Sequence, residues 1–255
     1  MWDAAQYMRF TDERARPFLD LVARIGADKP GYVMDLGCGP GNLTALLARR
    51  WPQAVVAGVD SSPEMIEAAR LLPEAAAVSF ETGDVRDWHP GHAPDVITCN
   101  AVLQWVPDHD ALVARWAGLL APGGWLAFQL PGNFDSPHHV AAAELAGSPR
   151  WRSLLADVQL NRQAGDPGDY VRLLARPGYI VDAWETTYSH ILPSESAVVE
   201  WAKGTALRPV LAALDERQAE GFLAEYAERL RGTCRPESFG VVFPFRRVFA
   251  VVQKA

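Results

Sequence analysis

The segment from Tyr32 to Thr44, YVMDLGCGPGNLT, most tightly constrains what this chain can fold into. An apolar run closes on Asp35 and Leu36. Glycines then occupy alternate positions, Gly37, Gly39 and Gly41, and an apolar stripe of Leu43, Leu46 and Leu47 follows. The order is a buried strand, a tight turn and a helix start. Glycine lets the backbone take positive φ and lets a ligand approach bare amides. The first amides of the helix lack intrahelical partners and carry partial positive charge, so an anionic group can settle there. The spacing is Gly-x-Gly-x-Gly, not the Gly-x-Gly-x-x-Gly fingerprint of dinucleotide sites.

The rhythm set by that turn continues. Ala54–Val59 is a continuous apolar run, as expected of a parallel strand covered on both faces. Ser61-Ser62-Pro63-Glu64 opens a helix, with either Ser61 capping in a box with Glu64, or Ser62 capping with Pro63 at the first helical position. Val78–Glu81 and Asp95–Asn100 read as strands, 108–120 as a helix and Trp125–Leu130 as a fifth strand after the turn Pro122-Gly123-Gly124. A helix over 12–25 precedes the first strand, with Phe10, Arg14, Phe18 and Leu21 on one face. Strands alternating with helices predict an α/β fold with a mostly parallel sheet and right-handed crossovers. Beyond Leu130 the pattern changes. Residues 133–175 and 194–231 read as helical, and Tyr179–His190 and Val241–Val252 as strands. The reading is one domain over 1–255, with a core at about 30–131 and helical insertions at about 133–175 and 192–238 that cap the sheet's carboxyl edge.

Composition narrows the partners. The chain has 255 residues, 49% of them hydrophobic, enough for one α/β domain with a substantial core. A formal net charge of −7 speaks against binding nucleic acid, which needs a basic face, and mildly against an anionic membrane surface. No apolar run reaches the roughly 18–20 residues that span a bilayer. The first residues show no basic stretch followed by an apolar run, so no signal peptide is expected. Cys38, Cys99 and Cys234 are odd in number and far apart, pointing to a reducing compartment and a cytoplasmic location. Cys38 reads as a small packed residue. His138-His139 lack carboxylate or thiolate partners at metal spacing, so no metal is expected.

In an open parallel sheet, ligands sit outside the carboxyl ends of the strands. Four such positions stand out: the glycine turn with Asp35 before it; Asp60 with Ser61, about 20 residues further on at the end of the second strand; Gly83-Asp84-Val85 after the third; and Asn100-Ala101 at the end of the fourth. Each alone is an ordinary turn or helix cap. Their joint order at successive strand ends makes a cofactor site.

Asp-Leu-Gly-Cys-Gly-Pro-Gly, Gly-Val-Asp-Ser-Ser-Pro-Glu-Met and Leu-Ala-Pro-Gly-Gly-Trp-Leu resemble class I methyltransferase motifs. More narrowly, the chain resembles the trans-aconitate 2-methyltransferase family nearly end to end. Tyr7-Met8-Arg9-Phe10 with Glu13-Arg14-Ala15-Arg16-Pro17, Leu103-Gln104-Trp105-Val106-Pro107-Asp108-His109, Thr186-Thr187-Tyr188-Ser189-His190, Leu207-Arg208-Pro209 and Phe243-Pro244-Phe245-Arg246-Arg247-Val248-Phe249 carry this narrower match. The resemblance implies a Rossmann-like sheet with an antiparallel last strand, S-adenosyl-L-methionine as cofactor, and methyl esterification of one carboxylate of trans-aconitate. In that frame Asp35 holds the methionine ammonium, directly or through water, and amides at Gly37, Gly39 and Gly41 meet its carboxylate. Asp60 and Ser61 face the ribose, Asp84 and the Val85 amide face adenine, and Asn100 and Ala101 lie nearest the sulfonium.

A carboxylate is already ionised near neutrality, so no general base and no catalytic side chain is expected. A small polycarboxylate needs cationic anchors, and arginine suits carboxylate better than lysine. The candidates are Arg14, Arg208 and Arg246, with Tyr7, Trp105, Tyr188 and His190 as walls. Arg246 and Arg247 fall on opposite faces of a strand, so at most one enters the pocket. Other acceptors stay open, namely another small acid or a lipid-like molecule. So do a nicotinamide-dependent oxidoreductase and a non-catalytic cofactor-binding module. The sequence leaves the oligomeric state open.

Overall fold

A computed structural model describes residues 11–160, 164–233 and 235–255, without side-chain detail at 11–14. Tyr7 and the side chain of Arg14 lie outside the described residues, as does Cys234. In chain order the regular elements begin with α1 (Thr11–Ala23), β1 (Tyr32–Leu36), α2 (Asn42–Arg50), β2 (Val55–Asp60), α3 (Pro63–Arg70), β3 (Ser79–Thr82) and β4 (Val96–Asn100). They continue with α4 (His109–Leu119), β5 (Trp125–Pro131), α5 (Pro137–Ala146), α6 (Pro167–Leu174) and β6 (Tyr179–Leu192). The chain closes with α7 (Glu195–Lys203), α8 (Arg208–Ala213), α9 (Glu216–Leu230), β7 (Pro236–Glu237) and β8 (Gly240–Lys254). Short 3₁₀ turns cover Pro73–Ala75 and Leu103–Trp105.

The strands order as β3-β2-β1-β4-β5-β8-β6, with β7 paired to β8. Neighbours from β3 to β5 are parallel, and β8 lies antiparallel to β5. The predicted antiparallel last strand is therefore present. The sheet order reverses at β1, which pairs with β2 on one side and β4 on the other. That reversal opens a crevice at the carboxyl ends of β1 and β4, where ligands of such sheets bind.

The core follows from side-chain alternation. Ile97, Cys99, Leu126, Phe128, Leu130, Val248, Ala250 and Val252 fall at alternate strand positions and join one buried cluster that includes Trp116 and Val113 of α4. The other face of the same strands carries Thr98, Asn100, Gln129 and Arg247 near the carboxyl edge. At the start of α3, Ser62 is the cap: its hydroxyl accepts the Met65 amide at 3.3 Å, and Pro63 follows it. Of the two capping schemes the sequence offered, the one without Ser61 is adopted.

Backbone contacts divide the chain into two units. One holds Met1–Pro131, Ala164–Thr186 and Arg247–Ala255; the other holds Gly132–Gln163 and Thr187–Arg246. Helix α6 belongs to the first. In the second, α5 packs on α9, and the Tyr226 hydroxyl donates to the His138 carbonyl at 3.0 Å. The two-residue strand β7 has no counterpart in the sequence reading, because a single ladder step leaves no alternation to detect.

Candidate cofactor site

The turn after β1 is built as the glycine spacing required. Gly37, Gly39 and Gly41 have φ of 78°, 55° and 81°. The three are not equivalent. A Cβ on Gly37 would meet Val102 Cγ2 at 2.1 Å, and one on Gly41 would meet Ala69 Cβ and Phe80 Cζ at 2.8 Å. A Cβ on Gly39 would meet nothing within 4 Å. Gly37 and Gly41 are thus small because the protein packs against them. Gly39 faces open space, a cradle that could admit a close-lying ligand.

The glycine amides expected to meet a carboxylate are instead engaged within the protein: Gly37 N and Cys38 N both donate to the Val59 carbonyl, at 2.8 and 3.0 Å, and Gly41 N donates to the Cys38 carbonyl at 3.2 Å, because the tight turn closes on itself and on β2. Gly39 N donates to Asp60 Oδ2 at 2.9 Å, and Ser62 N donates to Asp60 Oδ1 at 2.9 Å. Asp60 therefore braces the turn from the end of β2. Ser61 is exposed beside it. Gly41 caps α2 without a side-chain hydrogen bond, so the first-turn amides of that helix are not covered by a capping side chain.

Asp35 is buried at 2% exposure. Its Oδ2 accepts the Thr44 hydroxyl at 2.6 Å and its Oδ1 the Thr98 hydroxyl at 2.8 Å. Burial raises its pKa to about 6, against the lowering effect of the two threonines and with a smaller upward push from Asp60. A carboxylate kept in this state gains from a nearby cation, because opposite charge favours the ionised form. Cys38 lies in the same turn with its side chain buried, and a Cβ on Gly58 would meet its Cβ at 2.8 Å. Burial pushes its thiol further up, so Cys38 is packing and not a nucleophile.

Asp84 is engaged by Arg86, whose Nε lies 3.0 Å from both of its oxygens and whose terminal nitrogen lies 2.5 Å from Oδ2. That hydrogen bonding holds the Asp84 carboxyl below its ordinary value. Any base bound there shares Asp84 with Arg86. Val85 is buried and joins the main core cluster, which fixes the backbone beside Asp84.

At the end of β4 the chain turns through Ala101, which has φ of 57°. Positive φ in a residue with a Cβ costs about 1–2 kcal/mol and persists only where neighbours impose it. Here Ala101 N donates to the Gln129 carbonyl at 2.9 Å, and Gln104 Nε2 donates to the Ala101 carbonyl at 2.6 Å. The same Gln104 leaves its Oε1 buried without a hydrogen-bond partner among the described residues. A buried acceptor left unmade costs about 1–3 kcal/mol, so this atom suits a ligand donor such as an ammonium or amine. Sequence reasoning passed over Gln104, because a glutamine in a short turn carries no distinctive spacing.

Asn100, Gln129 and Arg247 form a polar string on one sheet face. Gln129 Nε2 donates to Asn100 Oδ1 at 2.5 Å, and the Arg247 guanidinium lies 3.5 Å from Gln129 Oε1. The expected acceptor residues fall in both units. Trp105 sits half-buried in the 3₁₀ turn after Ala101, in the first unit. In the second, Tyr188 and His190 are buried and stacked at 6.3 Å between ring centroids. His190 also packs on Trp201, which meets Phe243 and Phe245. Arg208 opens α8 half-buried, and Arg246 donates to the Gly132 carbonyl at 3.0 Å. His138 is buried, and desolvation with the neighbouring His139 lowers its pKa to about 3, so it is neutral. Among the described residues no group of three or more His, Cys, Asp or Glu could hold a metal ion, and no helix is long and apolar enough to cross a membrane.

Residues 7–174 match the model of a methyltransferase domain. The chain is 50% identical over 256 residues to a trans-aconitate 2-methyltransferase of Mycobacterium sp. (strain KMS), covering 99% of each chain. It is 50% identical over 260 residues to a trans-aconitate 2-methyltransferase of Streptomyces avermitilis, covering 99% of this chain and 97% of the other. Among solved structures, phosphoethanolamine N-methyltransferase 2 of Haemonchus contortus, in complex with S-adenosyl-L-methionine, aligns with a TM-score of 0.53 at 18% identity, over 94% of this chain and 53% of that one.

Proposed function

From the premise that the chain belongs to the methyltransferase-domain family, and within it to the trans-aconitate 2-methyltransferases, we propose that it transfers a methyl group from S-adenosyl-L-methionine to a carboxylate of trans-aconitate. The observation that carries the reading is the pairing of a half-identical, full-length relationship with an open cradle at Gly39, where a Cβ would meet nothing within 4 Å.

The residues present fit the cofactor. The uncapped start of α2 and the Gly39 cradle suit its carboxylate. Asp35 and Gln104 Oε1 offer acceptors for its ammonium. Asp60, with Ser61 beside it, takes the ribose hydroxyls; Asp84 and the Val85 amide take adenine; and Asn100 with Ala101 flanks the reacting sulfur. When bound, S-adenosyl-L-methionine supplies an electrophilic methyl carbon on a positively charged sulfur. An acceptor carboxylate oxygen held in line with that methyl group would form the ester O–C bond as the S–C bond broke, the electron pair going to sulfur.

No proton moves at the acceptor, since a carboxylate near neutral pH is already ionised. The protein's contribution is alignment of the two reactants and exclusion of water, which solvates the separated charges better than their partly neutralised transition state. Trp105 is a wall beside Ala101. In the other unit Tyr188, His190, Arg208 and Arg246 are the acceptor candidates, with Arg247 the alternative to Arg246 at the adjacent strand position. Tyr7 and Arg14 complete the set from outside the described residues. Within the cell the proposed location is the cytoplasm, in line with buried, reduced Cys38 and Cys99.

The test is mass spectrometry of a reaction of purified protein with S-adenosyl-L-methionine and trans-aconitate. A monomethyl ester formed together with S-adenosylhomocysteine is the expected outcome. Cofactor binding with no ester from trans-aconitate would rule the substrate out.

A further inference from the structure

The geometry points to Arg86 as the positioning residue that fixes the Asp84 carboxylate for a 6-aminopurine, and so makes the cofactor site prefer adenine to a purine bearing oxygen at that place. This rests on the cofactor reading above and extends it to a residue and a rule of base selectivity.

Hydrogen-bond counting carries the first step. One residue engages both oxygens of Asp84. Arg86 N donates to Oδ1 at 2.8 Å, Arg86 Nε lies 3.0 Å from each oxygen, and a terminal nitrogen donates to Oδ2 at 2.5 Å. A planar fork that meets both oxygens sets the plane of a carboxylate as well as its place. An ionised carboxylate has about four lone-pair sites, so these N–H groups leave roughly one of them, in a fixed direction. The Asp84 side chain keeps 31% of its surface exposed and is still within reach of a ligand.

The loop that carries the fork is itself tied down. Asp87 N donates to the Asp84 carbonyl at 3.0 Å. From α4, one terminal nitrogen of Arg115 donates to the Arg86 carbonyl at 2.7 Å. The other donates to the Trp88 carbonyl and to His89 Nε2, each at 3.1 Å. A guanidinium only donates, so His89 Nε2 is an acceptor, and its Nδ1 carries the proton and donates to the Asp87 carbonyl at 2.7 Å. Helix α4 is anchored through Val113, Trp116 and Ala117 in the same buried cluster that holds Val85. The backbone on both sides of Asp84 and Arg86 is thus held from the core.

Donor and acceptor chemistry carries the last step. The exocyclic amine of adenine donates, and an ionised carboxylate only accepts. Arg86 holds the Asp84 carboxyl below its ordinary value, which keeps it in that acceptor-only form. Hypoxanthine has a carbonyl oxygen in place of the amine and a ring N–H beside it. A carboxylate free to turn meets that ring N–H and tolerates the exchange. A fixed one faces oxygen with oxygen and rejects it.

The experiment is calorimetric titration of S-adenosylhomocysteine and of S-inosylhomocysteine, its hypoxanthine counterpart, into wild type, Arg86→Met and Arg86→Lys, with thermal unfolding as the check on the fold. Wild type should bind the adenosyl ligand about tenfold or more tightly than the inosyl ligand, in keeping with one hydrogen bond to a charged group. Arg86→Met should lower that ratio about fivefold, the size of a well-oriented exposed ion pair, chiefly by weakening the adenosyl ligand. Arg86→Lys keeps the charge without the fork and should recover only part of the ratio. It also decides the matter if Arg86→Met does not fold: a lowered ratio supports the inference, and the wild-type ratio overturns it, since charge alone would then suffice. Wild type binding both ligands equally, or a ratio unchanged in folded Arg86→Met, overturns the inference and leaves the cofactor reading intact. Wild type binding neither ligand overturns both.

Discussion

Asp35 shows how one side chain can link stability to ligand binding. Burial raises its pKa from 3.8 to about 6 in the folded protein. The folded state therefore holds the proton more tightly than the unfolded state. The stability this adds is complete below the unfolded value and is lost as pH rises through about 6, a change of about 3 kcal/mol at full burial. Chemical denaturation from about pH 4 to pH 7 should show this decline in wild type and a flatter profile in Asp35→Asn. Cofactor affinity should move the other way, rising with pH through the same window as Asp35 ionises to meet the ammonium. A wild-type stability profile no steeper than that of Asp35→Asn would contradict this account of the buried carboxyl. The aspartate itself was legible in the sequence from its place before the glycines. Its two threonine partners were not, because Thr98 lies 63 positions away in the chain and only the β1–β4 register brings it there.

The strand–turn–helix element was readable for a different reason. Every constraint on it is local: an apolar run, three alternate glycines and a helical stripe. The structure then divides labour among those glycines in a way the spacing could not reveal, since Val102, Ala69 and Phe80 come from other elements. Gly37→Ala should destabilise the fold by about 3 kcal/mol, combining positive-φ strain with overpacking against Val102. Gly39→Ala should cost only about 1 kcal/mol of stability, from strain alone, yet weaken cofactor binding about tenfold or more because the new methyl group enters the cradle. Thermal unfolding and cofactor titration of the two variants separate these effects. The order of damage reversed, with Gly39→Ala the less stable protein, would mean that the cradle is packing space. Less was legible at β5. Gln129 sits inside the apolar run Trp125–Pro131, where a lone amide reads as noise, and only its neighbours across two ladders give it a partner on each side.

For the whole chain, the alternation of buried strands and amphipathic helices was enough to predict a mostly parallel α/β sheet, because parallel strands covered on both faces need continuous apolar runs. The acceptor end is a problem of a different kind. Its candidates, Trp105, Tyr188, His190, Arg208 and the pair Arg246 and Arg247, lie on segments far apart in sequence, and an isolated arginine looks the same whether it meets solvent or substrate. Alternation shows that Arg246 and Arg247 face apart, but only the pairing of Pro131 with Arg247 says which of them shares a face with the end of β4. Family membership adds what spacing lacks, an acceptor against which those positions can be judged.

The central claim is that the turn from Asp35 to Gly41, braced by Asp60, holds the adenosyl cofactor. Calorimetric titration of S-adenosylhomocysteine into the folded protein tests it most directly. The account predicts saturable binding of one ligand per chain, weakened in Gly39→Ala and abolished by a larger side chain at that position. A well-folded wild-type protein that gives no binding heat, with its thermal stability unmoved by the ligand, would contradict it.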